Sequence, residues 1–160
     1  MEPHVFEIRI RMVLRLTINH IKGTMGSTRI NAARKSIVVK APVAIVYQRW
    51  LQGEDFPKFI TAIKTSRRLD ATHFAILEGL NGEQHESVLE FVLRIPERKL
   101  VWRSLSHQLA AGVVSLTPHA NEKSTSVALT MMSTYGGAVS GRVRLYLKNF
   151  KMLIEGESVT

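Results

Sequence analysis

Histidine and arginine side chains are the residues of this 160-residue chain with the clearest capacity for chemistry. His73 could serve as a general base, because an ordinary imidazole titrates near neutral pH. Its position at the edge of a predicted turn favours a solvated histidine instead. Arg67 and Arg103 are further polar candidates. Arg103 is expected on the outer face of its strand, where a pair with Glu90 would contribute about 0.2–1 kcal/mol.

The sequence lacks the motifs of several common enzyme classes. Phosphate-binding loops, dinucleotide-binding fingerprints and nucleophile elbows are missing. No two of the six histidines fall at a ligand spacing within one predicted element, and cysteine is absent. The chain therefore has no disulfide, thiolate metal site or cysteine nucleophile. We expect no metal and no cofactor, and we assign no catalytic residue.

Positive charge is concentrated at the start of the chain. Residues 1–35 carry seven Lys or Arg and two Glu, whereas the remainder carries fifteen basic and eleven acidic residues. The body therefore contributes only +4 of the net charge of +9. Solubility explains that charge, so a nucleic-acid partner is not expected. No run has the length of a transmembrane helix and no signal-peptide pattern is present. We expect a cytoplasmic protein that could associate with a membrane surface.

Residues 1–33 form a basic extension with a pattern of its own. A period of two predicts a half-buried strand, followed by a flexible connector that includes Asn31. The extension is either an added edge strand or membrane-surface arm, or a product of a start assigned too early, and we prefer the second interpretation. An exposed arm could pair with another chain, so monomer and homodimer both stay open. The even-numbered apolar positions are Phe6, Ile8, Ile10, Met12, Leu14, Leu16 and Ile18.

The C-terminal segment 139–155 is the element around which the body is organised. Its apolar residues recur at steps of three and four, and Arg144, Lys148, Lys151 and Glu155 fall on the opposite side. This spacing predicts an amphipathic helix that needs a large apolar partner surface. The apolar face consists of Val139, Val143, Tyr146, Leu147, Phe150, Leu153 and Ile154.

The residues between the extension and this helix predict a sheet. A first strand over 34–40 is followed by two short helices, the first of them beginning near Pro42. Alternating apolar residues and turn signals such as Asn81-Gly82 then predict six more strands. The fold class is therefore α+β, with a curved antiparallel sheet of about seven strands on the long C-terminal helix. The six strands are expected over 63–69, 73–79, 84–95, 99–105, 109–117 and 124–134.

The side of the sheet that faces the helix is predicted to be almost entirely apolar. Such a lining favours binding of an apolar molecule over acid–base chemistry, which needs positioned polar groups. The inner-face residues assigned by alternation are Leu89, Phe91, Leu93, Leu100, Trp102, Val114, Leu116, Val127, Leu129 and Met131.

Several short motifs, in this order and spacing, resemble the polyketide cyclase/dehydrase branch of the START/Bet v 1-like (SRPBCC) superfamily. The resemblance covers about residues 35–156, within a domain expected over 34–156. Asn149 departs from the pattern, because an arginine often precedes the Phe-Lys pair in that branch. The motifs are Ala41-Pro42-Val43, Trp102-Arg103-Ser104, Gly112-Val113-Val114, Tyr135-Gly136-Gly137, Phe150-Lys151 and Ile154-Glu155.

The resemblance implies a helix-grip fold with a cavity between the sheet and the C-terminal helix. We expect the cavity to bind a hydrophobic small molecule, such as a lipid, a quinone or a polyketide-like compound, without catalysis. A polyketide cyclase or dehydratase, and a membrane-surface or protein-interaction module that uses the basic arm, are the alternatives. Core packing also explains the tryptophans. The predicted ligand-binding residues are Trp50, Phe59, Phe91, Trp102, Met131, Val143, Tyr146 and Phe150.

Overall fold

The computed structural model describes residues 31–80, 82–105, 109–133 and 139–157. The element order is strand, helix, 3-10 helix, six strands and a long helix, as the sequence predicts. Residues 1–30 of the predicted extension over 1–33 and the Tyr135-Gly136-Gly137 motif lie outside the described residues. The elements are β1 Asn31–Val39, α1 Val43–Leu51, the 3-10 helix Gly53–Lys58, β2 Ile63–Arg68, β3 His73–Leu80, β4 Glu83–Ile95, β5 Lys99–Ser104, β6 Leu109–Pro118, β7 Thr125–Ser133 and α2 Val139–Glu157.

The seven strands form one antiparallel sheet in the order β1-β7-β6-β5-β4-β3-β2. Strands β2 to β7 follow one another as a meander, and β1 joins the sheet beside β7. The turn between β3 and β4 uses Gly82 at φ +83°, a backbone conformation that glycine adopts without strain. The predicted α+β class and the antiparallel sheet are confirmed.

Helix α2 packs its apolar face against β1 and β7. Val143, Tyr146 and Phe150 are buried on this face, and Arg144 and Lys148 are exposed opposite them. At its C-terminal end, the Lys151 ammonium donates to the Val38 carbonyl at 2.8 Å and pairs with Glu155. The Lys40 backbone N–H donates to the same Glu155 carboxylate at 2.9 Å. These bonds fix the end of α2 to the edge strand β1.

Strand β4 contains the one inner-face assignment that the structure overturns. All the predicted inner-face residues except Leu93 belong to the core between the sheet and α2. Leu93 instead packs with Val101 and Val113 on the outer face. A shift in the β4–β5 register between Phe91 and Leu93 marks a β-bulge, which moves the following side chains to the opposite face. The alternation rule fails there because it assumes an unbroken strand.

The predicted pair between Glu90 and Arg103 is confirmed. The two residues face each other across β4 and β5, with Arg103 Nη2 3.1 Å and Nε 3.2 Å from Glu90 Oε2. Both side chains lie on the outer face, away from Phe91 and Trp102, so the pair has a structural role.

The first strand begins earlier than predicted. Pairing with β7 extends back to Asn31, which lies opposite Ser133. The placement of Asn31 in a flexible connector is therefore wrong. Residues such as Asn31 favour turns in isolation, but here the neighbouring strand supplies a complete row of hydrogen-bonding partners.

Candidate functional site

A cluster of aromatic rings occupies the space between α1, the 3-10 helix, the sheet and α2. The Trp50 ring lies at its centre, with ring centroids 4.9 Å from Phe150, 5.0 Å from Phe59 and 5.9 Å from Trp102. The Trp50 and Trp102 rings are stacked, with an interplanar angle of 22°. All four side chains are fully buried. The sequence places these rings together because α1, β5 and α2 each direct one apolar face inwards.

Gly112 on β6 gives the Trp102 ring its place. The two residues face each other across β5 and β6. A Cβ atom at Gly112 would lie only 2.1 Å from Trp102 Cζ2 and 2.4 Å from Trp102 Cε2. Because no side chain is present at position 112, the indole can lie flat against the β6 backbone.

Polar side chains collect on the inner face of the sheet towards its β2 edge. Glu78 on β3 points to the same side as Ile76 and is 1% exposed. Ser87 on β4 and Ser104 on β5 join through their hydroxyl oxygens, which lie 3.0 Å apart. Ser66 on β2 adds a buried hydroxyl oxygen with no hydrogen-bond partner in the described ranges. We call these four residues, Ser66, Glu78, Ser87 and Ser104, the polar end of the inner face.

Tyr146 connects α2 to the segment that precedes β2. Burial raises the pKa of its phenol, while the nearby positive charge of Arg142 and hydrogen bonds from the Thr61 side chain and the Ala62 backbone N–H lower it, with a net upward shift. The Ala62 carbonyl in turn accepts a hydrogen bond from the backbone N–H of Gly79, at 2.8 Å. The hydroxyl was predicted either to orient a ligand or to reach solvent. The structure shows it buried and bonded to the segment that precedes β2.

The raised pKa of Tyr146 predicts a loss of stability at alkaline pH. An unfolded tyrosine ionises near pH 10, whereas the folded one resists ionisation. Its contribution is therefore complete below about pH 10 and is lost as the pH rises towards the folded pKa. We expect Tyr146→Phe to make the fall in the free energy of unfolding shallower between about pH 9 and pH 11, as measured by urea denaturation. An unchanged pH slope would contradict the assignment.

His73 lies at the edge of the sheet, next to the turn that precedes β3. Its Nδ1 is 2.9 Å from Asp70 Oδ1, and its side chain is about one-third exposed, at 34%. A hydrogen bond from the Thr72 backbone N–H, followed by that from His73, lowers the pKa of Asp70 to about 2. This is a turn-stabilising pair at the surface. Arg67, the other candidate, points to the outer face opposite Ala75.

The structure brings the predicted ligand-binding residues together in one core. Glu78, Ser87 and Ser104 were not predicted to lie with them, and they correct the expectation of an almost entirely apolar inner face. The sequence alone could have indicated two of them, because residues two apart in a strand point to the same face. Glu78 is two residues from Ile76, and Ser104 is two residues from Trp102. The contact between Ser87 and Ser104 depends on the strand register. The predicted residues buried in this core are Trp50, Phe59, Phe91, Trp102, Met131, Val143, Tyr146 and Phe150.

Two surface depressions lie at the edges of this core. One, of about 510 Å³, is on the outer face of β2, β3 and β4 and includes Arg67, Leu77 and Glu86. The other, of about 520 Å³, lies between α1 and the β4–β5 turn and includes Tyr47 and Arg94. Ser87 also lines the first depression. Neither depression is lined by Ser104 or by the rings of Trp50, Phe59, Trp102 and Phe150.

The described residues show neither a cluster of metal ligands nor a membrane-spanning helix. Within the described ranges, no three His, Cys, Asp or Glu side chains come close enough together to hold a metal ion. None of the helices described there is both long and apolar enough to cross a lipid bilayer.

Sequence comparison gives one relative and no family model. The chain is 30% identical over 89 residues to an uncharacterized 17.2 kDa protein of Streptomyces lincolnensis. That match covers 54% of this chain and 58% of the relative, so it spans little more than half of either protein. No family model matches the chain.

Solved structures match over most of the chain. A protein of Deinococcus radiodurans is 20% identical with a TM-score of 0.65, over 79% of this chain and 98% of that one. A START superfamily protein of Mycobacterium smegmatis is 14% identical with a TM-score of 0.61, over 81% and 99%.

The di-domain ARO/CYC protein StfQ of the steffimycin biosynthetic pathway also matches. It is 15% identical with a TM-score of 0.58, over 87% of this chain and 55% of StfQ. At such identities the likeness concerns the fold. Together with the seven-stranded sheet packed against α2, these matches show that the chain has a helix-grip fold like that of the START superfamily protein and of StfQ.

Proposed function

We propose that the chain binds a hydrophobic small molecule, such as a lipid, a quinone or a polyketide-like compound, between the inner face of the sheet and α2, without catalysis. The observation that carries this proposal is the polar end on an otherwise apolar inner face. Binding sites for small molecules are mostly apolar and contain a few polar groups that fix the orientation of the ligand.

The arrangement suits a molecule with an apolar body and a polar terminus. Phe91, Trp102 and Phe150 offer apolar ring surface for the body. Ser87 and Ser104 offer hydroxyl groups for the terminus, and Ser66 Oγ has hydrogen-bonding capacity that no described residue uses. The backbone of α2 packs against β1 and β7, so the polar end on β2 to β5 lies away from its main contact with the sheet.

A pair of matched substitutions tests where the ligand binds. Ser87→Leu adds apolar bulk at the polar end, whereas Ser115→Leu makes the same change on the outer face of β6. We expect Ser87→Leu to weaken binding of the fluorescent probe N-phenyl-1-naphthylamine about tenfold or more, because it fills space and removes a hydroxyl. Ser115→Leu should bind the probe like the unmodified chain.

Two kinds of outcome would contradict the proposed site or the proposed function. Equal weakening by both substitutions, or none by either, would contradict a site between the sheet and α2. Native mass spectrometry of the chain purified from its expression host gives a second readout. A complete lack of bound apolar molecules, together with no probe binding, would contradict the proposed function itself.

Glu78 supports polyketide cyclisation as a second candidate function. A buried carboxyl on the inner face, near Tyr146 and its partner segment, is a group that could move protons during ring closure. Cyclisation predicts that a linear poly-β-keto thioester is converted to a cyclic product, and that Glu78→Gln stops this conversion while probe binding persists. Binding without conversion favours the non-catalytic function.

A further inference from the structure

Two indole N–H groups are buried without an acceptor among the residues that the structure describes. Trp50 and Trp102 are its only tryptophans, and both are 0% exposed. Neither Nε1 atom has a hydrogen-bond partner among the described residues. Buried N–H groups in native proteins are almost always satisfied, by protein, by ordered water or by a ligand. Two such donors in one cluster therefore require an explanation.

The residues around the indole N–H of Trp102 follow from its position on β5. Its Cε2 atom, which is bonded to Nε1, lies over Gly112 of β6, where a Cβ would be 2.4 Å away. Across the sheet, Gly112 lies opposite Met131 of β7, and Trp102 lies opposite Phe91 of β4. These three neighbours carry no side-chain oxygen. The side chains directly across the sheet from Trp102 and Gly112 therefore offer the indole N–H no oxygen acceptor.

Trp50 on α1 likewise has a buried indole N–H group surrounded by aromatic rings. Its ring is stacked on Trp102 at 5.9 Å, and its other ring contacts are Phe56, Phe59 and Phe150. Flat surfaces of this kind favour flat aromatic molecules, through offset stacking and edge contacts. Unused N–H donors favour molecules that carry an oxygen acceptor, because a site built to hydrogen-bond an oxygen discriminates against analogues that lack it.

We propose that the indole N–H groups of Trp50 and Trp102 donate hydrogen bonds to an oxygen of the bound molecule, so that the site selects aromatic carbonyl compounds of the quinone type over hydrocarbons of the same shape. The inference rests on the proposed function and gives its ligand a chemical class. The rings contact each other in the structure, so the ligand inserts by displacing ring–ring contacts. The hydrogen bonds to its oxygen offset part of that cost.

The test compares 1,4-naphthoquinone with naphthalene, which has the same ring system and no oxygen. Because the chain has only two tryptophans, a ¹H–¹⁵N spectrum of the labelled protein contains two indole signals, and Trp102→Phe identifies one of them by its loss. The absence of cysteine removes the thiol groups with which quinones react most readily. We expect naphthoquinone to shift at least one indole proton downfield, and naphthalene not to do so.

Affinity gives a second readout. A neutral hydrogen bond corresponds to a change in affinity of about twofold to twelvefold. Trp102→Phe keeps an aromatic ring and loses the N–H, and the smaller ring also removes apolar contacts that both probes use. We therefore expect it to weaken naphthoquinone binding by about that factor more than it weakens naphthalene binding. Trp50→Phe is the second variant for this comparison. The two probes can also be compared on the unmodified chain alone, so the test does not depend on either variant folding.

The contrary outcomes separate this inference from the proposed function. If both probes bind equally well and neither shifts an indole proton downfield, the hydrogen-bonding role is wrong and apolar binding stands. Indole protons that already show contacts to a bound water, unchanged by naphthoquinone, overturn the inference in the same way. If neither probe perturbs the signals of Tyr146 or Phe150, the proposed site fails together with the inference.

Discussion

Replacing Gly112 by alanine is expected to lower the free energy of unfolding by about 3 kcal/mol or more, which is the upper range for overpacking a core. The added methyl group would lie 2.1 Å from Trp102 Cζ2, 2.4 Å from Cε2 and 2.7 Å from Cη2. The indole cannot retreat easily, because its opposite side packs against Trp50 and Phe56. Urea denaturation measures the effect, and an unchanged m-value would show that the substitution alters stability and not the surface exposed on unfolding.

Gly156 provides the matched control. It lies in α2, and a Cβ atom there would meet nothing within 4 Å. Gly156→Ala should be neutral or stabilising by up to about 1 kcal/mol, because alanine is the better helix former. If Gly112→Ala were equally neutral, the close approach between Gly112 and Trp102 would be contradicted.

A double variant locates the clash. Trp102→Phe replaces the indole by a smaller ring and removes its Nε1, so it should leave room for a methyl group at position 112. We expect Gly112→Ala to cost less in the Trp102→Phe background than in the unmodified chain, with a coupling energy of about 0.5–3 kcal/mol. Purely additive costs would indicate that the alanine acts elsewhere.

The sequence was sufficient to predict the fold class because the elements follow simple periods. The apolar spacing of 139–155 predicts α2, and alternation predicts most of the inner face of β4 to β7. Leu93 was assigned wrongly because a bulge has no reliable signature in one sequence. Asn31 was assigned wrongly because local turn preference does not reveal a neighbouring strand.

The candidate site was predicted less completely than the fold. The aromatic residues were found because they are large, apolar and on inward faces. Glu78, Ser87 and Ser104 were missed because polar residues in a strand usually point to solvent, and their true neighbours depend on the pairing register. The unpartnered state of the two indole N–H groups is a property of the packed core that no periodicity contains.

The fold and the candidate site share the aromatic cluster. The same rings that close the core of the helix-grip fold also line the proposed binding site. Stability and binding therefore draw on one set of contacts, and a substitution there is expected to affect both. Outer-face positions such as Glu90 and Arg103 lie away from the cluster, so substitutions there are expected to affect stability alone.

Trp50→Ala is expected to be the most destabilising truncation in α1, at about 3–5 kcal/mol. Trp50 is fully buried and contacts four aromatic rings, so its removal leaves a cavity that the surrounding elements fill only in part. Ile45→Ala in the same helix is the control, since Ile45 is 51% exposed and should change stability by about 0.5 kcal/mol or less. Both values follow from urea denaturation of the full chain.

The cavity left by Trp50→Ala also makes a direct prediction for binding. An apolar cavity of this kind accepts small aromatic molecules, and a ligand that binds only the folded state raises its stability. Added indole should therefore increase the free energy of unfolding of Trp50→Ala and leave that of Ile45→Ala unchanged. If indole stabilised both variants equally, it would be binding elsewhere on the chain. If it stabilised neither, the core would have collapsed around the missing ring, and the aromatic cluster would be more deformable than its close ring contacts indicate.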